Sequence, residues 1–484
     1  MLMNGTNTSK NYNRSDEYLR LNQELGNLIE ELRGTNVSVL PTEQELTKKF
    51  NVGRNLLRKV VGDYVERGWL ERIQGKGTFI SSKTNVFSFT NWVSSELSHN
   101  QFIGKIIAEY KENINPFEIH DISIPYYQYV NKVLDMFLHG SPPDIIQTNT
   151  YWLRRFQKLN LFIPLDSYIS PEIIKRKYST ALDLGKVNDE IIALNWTLEP
   201  LVLYYNKIVM EKAGLDPDNP PDSLEELKQL SIRVNESNKD VYGFCLPFEQ
   251  YEHSLMCIYV FLLAFNGGFC DQIGNIIIDS EENVSALNWL ADFYSRGGAP
   301  GIKSINDARI LFASDKVAFF IEGPAGRGNF RQISGLGKDF DSHYGVVKIP
   351  KGPLGFSKSV LLAHSLSISK YCSDPVGAYN WIEYLSTNEK NAKLYFELFG
   401  MIPCNRNLLE DEFFSKDPFA SVLIDQLDNA TIGPINHPLF LRSVPFLIST
   451  FSKIITKQIT VEAGIDFIKE VVTVFGQAEV FRYI

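Results

Sequence analysis

Between Leu40 and Ile80 four features follow one another in an order that few small folds can accommodate. The run Leu40-Pro41-Thr42-Glu43-Gln44-Glu45-Leu46 predicts a helix opened by a capping box. The Thr42 hydroxyl serves a free backbone N–H, and Glu45 reaches back to the N-cap. Leu46 and Phe50 mark the inner face of that short helix. Asn51-Val52-Gly53 reads as a turn, since Asn tolerates a left-handed backbone and Gly is an acceptable N-cap. The next helix places Leu57, Val60, Val61, Tyr64 and Val65 on one face and Arg54, Asn55, Arg58 and Lys59 towards the other. No acid interrupts the stretch from Lys48 to Lys59. Arg can fork onto guanine, Asn can pair with adenine and Lys can hold phosphate. Trp69–Gln74 and Thr78–Ile80 then form a hairpin whose tip is Gly75-Lys76-Gly77. Its two glycines let the lysine approach a nucleic-acid backbone closely. Ahead of all this, Leu21, Leu25, Leu28, Ile29 and Leu32 define one more amphipathic helix.

Residues 15–81 resemble the winged helix-turn-helix of GntR-type bacterial regulators, an α+β DNA-binding domain. The family pattern LPSERELA…FGVSRxTVRxAL…LxxxGxGTFV stands here as LPTEQELTKKFNVGRNLLRKVVGDYVERGWLERIQGKGTFI. The resemblance implies DNA contacts from Arg54 and Arg58, with Gly75, Lys76 and Gly77 as the wing; Thr42, Gln44, Asn55 and Lys59 complete the candidate DNA-binding set. Gln44 replaces a family arginine, Gly53 a cap serine, and Leu56 a small hydroxylated residue. These departures bear on which operator is read, not on whether DNA is bound. Members of the family bind near-palindromic sites as dimers, as two-fold symmetry requires.

The chain has 484 residues, too many for one core, so two or three units are expected. A net charge of −9 argues against general nucleic-acid coating but allows one local basic face. The first residues are polar, without the basic start and apolar core of a secretory signal. The best apolar run, Ile258–Phe265, is too short to span a bilayer. Cys245, Cys257, Cys270, Cys372 and Cys404 are an odd set without close pairing, and read as reduced buried thiols. The expectation is a cytoplasmic protein with no metal and no cofactor. Residues 1–14 read as a disordered tail and residues 82–85 as a linker.

From Val86 onward strand-like runs alternate with amphipathic helices, which argues for α/β layers. The segments GSPPDIIQTNTYWLRRFQKLNLFIPLDSYI, WTLEPLVLYYNKIVMEKAGLDP, FASDKVAFFIEGPAG, YGVVKIPKGPLG and HSLSISK resemble, in order and spacing, the family-1 solute-binding proteins. Those are the two-lobed sugar receptors of bacterial ABC importers. The resemblance implies a multidomain chain in which residues 86–484 form a two-lobed, class II periplasmic-binding-protein-like clamp. Lobe 1 would hold about 86–197 and 357–398, and lobe 2 about 198–356 and 399–484.

Sugars need flat apolar faces and hydrogen-bonding groups. Trp92, Thr148, Tyr151 and Trp152 lie at C-terminal strand ends, the usual ligand edge of α/β sheets. Trp196, Glu199, Tyr251, Glu322 and His364 complete the candidate effector set. Trp289 and Trp381 sit in helical patterns and read as core, as do Tyr204 and Tyr205. Ala325 stands where the family often has a stacking tryptophan. No GxSxG, HExxH, P-loop or CxxC motif appears, so binding rather than catalysis is expected. The composite reading is a sugar-responsive transcription regulator acting on operator DNA as a homodimer. A transport receptor with an unusual N-terminal extension, and a DNA-binding protein whose clamp serves only as a scaffold, are its alternatives.

Overall fold

The structure is a computed structural model that describes residues 17–480, apart from 19, 22–23, 27, 30, 33–36, 67–69, 81–85, 96–99, 114–117, 178, 250 and 300–301. The expected tail at 1–14 and linker at 82–85 lie outside the described residues. The chain divides into two compact units. The first holds Met1–Pro171, Gly185–Leu194 and His364–Thr387, and the second Glu172–Leu184, Asn195–Ala363 and Asn388–Ile484. The sequence places 357–363 and 388–398 in lobe 1, whereas the structure packs them with the second unit. The reason is strand pairing: Leu361 and Leu362 are hydrogen-bonded opposite Pro200 and Glu199.

The head opens with helix α1, whose described residues lie between 17 and 32, followed by α2 (Glu43–Phe50) and α3 (Arg54–Glu66). The capping box of α2 is present. Thr42 Oγ1 accepts from the Glu45 N–H, and the Thr42 N–H donates to Glu45 Oε2 at 2.8 Å. Asn51 ends α2 at φ 52°, with its N–H on the Thr47 carbonyl. Strands β1 (Leu70–Ile73) and β2 (Gly77–Ile80) pair antiparallel, Leu70 opposite Ile80. Gly75 and Gly77 at the turn have φ of 75° and 116°, which glycine adopts at little cost. One core joins these parts, with Leu21, Leu25, Leu46, Leu57, Val60 and Tyr64 buried together.

In the same unit, β3 (Val86–Asn91) runs parallel to β4 (Glu118–Ser123) and to β5 (Ile145–Asn149). The His364–Ile368 strand pairs antiparallel with β5, and Leu194–Asn195 completes the sheet. Helices α4 (Asn100–Asn113), α5 (Tyr129–Leu138) and α6 (Thr150–Gln157) connect or follow these strands. Trp381 is fully buried, edge-on to Phe89 and Tyr110 at 6.0 and 5.1 Å, so its core reading holds.

The second unit is built on a four-stranded sheet ordered Tyr242–Cys245, Val317–Glu322, Val202–Asn206 and Tyr344–Val347. The first pair is parallel and the others antiparallel. Tyr204 is buried in its core and Tyr205 half-buried. Trp289 is half-buried among Phe261, Phe265 and Phe293. Among the described residues no helix is long and apolar enough to cross a membrane.

The sheet core of the first unit depends on Trp381. Trp381→Ala is expected to lower stability by about 3–5 kcal/mol, the usual range for deleting a buried aromatic. Urea denaturation followed by circular dichroism measures this; a loss below about 1 kcal/mol contradicts the packing described.

Candidate DNA-reading face and solute face

The reading face of the head is open. Arg54, Asn55 and Arg58 on α3, Thr42 and Gln44 on α2, and Gly75, Lys76 and Gly77 on the wing are all exposed. Arg58 Nε meets the Glu43 carboxylate at 3.0 Å with both side chains well exposed. Such a surface pair is worth little, so the guanidinium can exchange it for a DNA phosphate or base edge. Arg72 on β1 is exposed beside the wing; the hairpin pattern alone does not single it out.

Lys59 departs from the expected set. Five residues beyond Arg54, it lies about 140° around the helix from it. Its ammonium sits 4.9 Å from the centre of the Tyr18 ring and 3.4 Å from the His139 carbonyl oxygen. It belongs to the join between the head and the sheet of the first unit. In that join the Tyr18 hydroxyl donates to the Asp63 carboxylate. The Tyr18 ring also lies against Gly140, where an added Cβ would meet it at 3.0 Å. Gly26 approaches Ser373 closely, and Tyr371 packs on the head core.

At the C-terminal ends of β3 and β5 five rings gather into a box. Trp92 lies 5.4 Å from Tyr126, 5.1 Å from Tyr129, 5.2 Å from Trp152 and 4.9 Å from His364, each edge to face. Tyr129 stacks on Trp152 at 5.3 Å, and its hydroxyl donates to the Thr90 carbonyl at 2.9 Å. Sequence reasoning anticipated Trp92, Trp152 and His364 here but missed Tyr126 and Tyr129. Trp92 and Trp152 are 2% and 3% exposed, so they are buried among other rings rather than open as stacking platforms. Thr148 is buried in the sheet beside the Ser365 carbonyl. Tyr151 lies within the first turn of α6, capped by Asn149.

Gln147 is a third residue missed. It is fully buried on β5, and its Oε1 accepts the Trp92 N–H at 3.3 Å. Its Nε2 has no partner among the described residues. The signal was a polar residue following the apolar pair Ile145-Ile146. An unfilled buried donor costs about 1–3 kcal/mol, and this amide lies beside the Trp92 backbone at the edge of the box.

Two structural paths leave the box. Helix α5 begins at Tyr129, in the box, and ends at Leu138 beside His139 and Gly140, against the head. The His364–Ile368 strand begins in the box and leads to Tyr371 on the head core.

In the second unit, Trp196 stacks on Tyr395 at 4.6 Å, and Glu199 accepts from the Thr197 hydroxyl at 2.7 Å. Tyr251 is the N-cap residue of the Glu252–Ala264 helix and makes no side-chain cap bond. Glu322 departs from its expected role as a solute contact. It is 1% exposed, with one oxygen 3.0 Å from His253 Nε2 and the other 2.7 Å from Arg309 Nε. A carboxylate engaged on both oxygens positions its cations rather than accepting a sugar hydroxyl. No local sequence pattern connects these three residues. Burial pushes the Glu322 carboxyl up, but Arg309 and His253 more than reverse this and hold it at about 2. Burial also works against a charged His253 ring, yet the Cys257 sulfur and the Glu322 carboxylate lift it to about 10. Among the described residues no group of His, Cys, Asp or Glu could hold a metal ion.

The comparisons with known proteins agree with this division. Residues 105–420 match the model for bacterial extracellular solute-binding proteins, and residues 17–80 that for bacterial regulatory proteins of the gntR family. The chain belongs to the bacterial extracellular solute-binding protein family and carries a GntR-family DNA-binding domain at its N-terminus. It is 22% identical over 315 residues to a putative binding protein of Brucella abortus, covering 64% of this chain and 74% of that one. It is 21% identical over 290 residues to the maltotriose-binding protein of Pyrococcus abyssi, 58% of each chain. The head is 42% identical over 82 residues to the HTH-type regulator YurK of Bacillus subtilis, 17% of this chain and 31% of that one. Among solved structures, a Thermotoga lettingae ABC-transporter solute-binding protein with bound tagatose superposes with a TM-score of 0.70. The identity is 19%, over 81% of this chain and 100% of that one. Maltose-bound MalE3 of T. maritima gives 0.69 at 21% identity, over 81% and 99%. Both families bind rather than catalyse, and the solved relatives establish the two-lobed fold.

The Glu322 group makes a pH prediction. Glu322 is depressed from 4.5 to about 2, so its contribution is full above pH 4.5 and is lost as pH falls towards 2. His253 is raised from 6.5 to about 10, so its contribution is full below pH 6.5 and is lost as pH rises through 10. Glu322→Gln leaves two buried cations uncompensated and is expected to cost about 3–5 kcal/mol. It should also flatten the loss of melting temperature between pH 4.5 and 2. A variant with the wild-type acid profile contradicts the assignment.

Proposed function

We propose that this protein is a sugar-responsive transcription regulator of the cytoplasm. Its head binds operator DNA, as a homodimer, and its solute-binding-protein fold senses a sugar or sugar derivative. The observation that carries this reading is the unfilled Gln147 amide beside the aromatic box, in the unit on which the DNA-reading head is docked. A solute oxygen on that amide would load the box. Helix α5 and the His364–Ile368 strand offer routes from there to Lys59, Tyr18 and Tyr371. The bound sugars of the solved relatives, tagatose and maltose, support a carbohydrate, and a DNA-reading head has its target in the cytoplasm. Because the reading face is exposed while the head is docked, the sugar acts by altering head geometry rather than by uncovering α3.

A thermal-shift screen with tagatose, maltose and maltotriose tests the sensing half. A ligand at 100 times its Kd should raise stability by about 2.7 kcal/mol. Gln147→Met should weaken that ligand at least tenfold while shifting ligand-free stability by no more than about 1 kcal/mol; unchanged affinity removes Gln147 from the site. The burial of Trp92 and Trp152 in their own box favours a second reading, a scaffold that binds no solute. Silence across a broad carbohydrate panel decides for it.

For the DNA half, Arg54→Ala and Arg58→Ala should each cost about 1–3 kcal/mol of operator affinity. Lys59→Ala should reduce the salt slope of binding far less than Arg58→Ala. Electrophoretic mobility shifts over a salt series read both, and equal salt slopes for the two variants contradict the placement of Lys59.

A further inference from the structure

Helix α2 opens with two acids, Glu43 and Glu45, and only one of them serves the helix. The Glu45 carboxylate accepts from the Thr42 N–H and from the Thr42 hydroxyl, which completes the capping box. The Glu43 carboxylate turns to the neighbouring helix instead. Its two oxygens lie 3.1 and 3.0 Å from Arg58 Nε on α3. Arg54, one turn earlier on α3, is exposed and has no such partner among the described residues. An acid on a face that meets DNA needs a reason, because it repels phosphate. Support of the helix start through its dipole is one, but Glu45 already stands in that first turn. The reason the geometry offers is the Arg58 guanidinium.

A guanidinium has two edges that can fork onto a pair of acceptors. One runs through Nε and an outer nitrogen, the other through the two outer nitrogens. Glu43 occupies Nε, so the end edge, Nη1 with Nη2, is the one left to the groove. Guanine presents O6 and N7 side by side in the major groove, and an end-on fork matches them. The carboxylate beside Arg58 repels a phosphate but not an uncharged base edge. The pair itself adds little to folding stability. Its effect is to narrow the orientations of a long side chain before DNA arrives, which lowers the ordering cost of binding.

We propose that Glu43 is a positioning residue that holds Arg58 by Nε, so that the two outer nitrogens read one operator guanine end-on. The inference deepens the operator-binding reading and rests on it. The test uses the full chain and an operator duplex selected from random sequence, with each guanine in turn replaced by 7-deazaguanine, which lacks the N7 acceptor. One such replacement should weaken the wild type about fivefold or more and should have no effect on Arg58→Ala. In Glu43→Gln the penalty at that guanine should shrink to about twofold or less. Penalties at the other guanines should stay, and affinity for an unrelated duplex should not fall. Arg58→Lys has no Nε fork, so adding Glu43→Gln to it should leave the penalty at that guanine where it is. Thr42 and Glu45 still cap α2 in these variants, so their melting curves should match the wild type. Glu43→Asp, which withdraws the carboxylate by one methylene, carries the same test should the glutamine variant not fold. A wild type without an Arg58-dependent guanine overturns the inference. So does a Glu43→Gln variant that keeps the full penalty or loses affinity equally at every position. Failure to select any operator removes the operator-binding reading, and this inference with it.

Discussion

Tyr18 is the contact on which the arrangement of the first unit depends. Its hydroxyl donates to Asp63 on α3, its ring carries the Lys59 ammonium, and its other edge rests on Gly140. One side chain from α1 thus ties the reading helix to the end of α5. The left-handed backbone of Gly140, φ 75°, and its missing Cβ are what allow the ring to sit there. The head is therefore an extension of the sheet it is docked on.

The aromatic box and the Glu322 group solve opposite problems. In the box, edge-to-face and stacked rings bury large apolar area in a geometry that aromatic quadrupoles favour. Beside it the Gln147 amide nitrogen, buried on β5, has no partner among the described residues. Around Glu322 one buried carboxylate is engaged on both oxygens, by Arg309 and by His253. Removing the carboxylate leaves both cationic groups without their partner, so that group serves architecture. The sequence offers Trp92, Trp152, His364 and Glu322 alike as candidate solute contacts; burial and partnering separate them.

Much of the head was legible in sequence because its signals are local. The capping box is four residues long, the Asn51 turn is one residue, and the α3 faces follow from a period of 3.6. The neighbours of Lys59 come from α1 and from the loop after α5, far away in the chain, where no short window shows them. The same holds for the second unit. Trp196 finds Tyr395, and Glu322 finds His253 and Arg309, through pairings that no short window contains. The lobe boundaries shifted for that reason too, since the Ser359–Leu362 strand joins the sheet of Thr197–Pro200 and not that of the His364–Ile368 strand that follows it. The tryptophans of the box were visible as residues at strand ends, but their mutual burial is a tertiary property.

The central claim is that the box and the reading face are energetically linked. Linkage is reciprocal: a sugar that changes operator affinity by some factor must have its own affinity changed by the same factor when operator is bound. The direct measurement is a pair of titrations with the sugar that gives the largest thermal shift and an operator duplex selected from random sequence. One follows operator affinity at zero and saturating sugar, the other sugar affinity with and without operator. The account predicts equal ratios in the two directions, of about 5-fold or more. Ratios of one in both directions would mean that the sugar fold and the DNA head share a chain without sharing a mechanism.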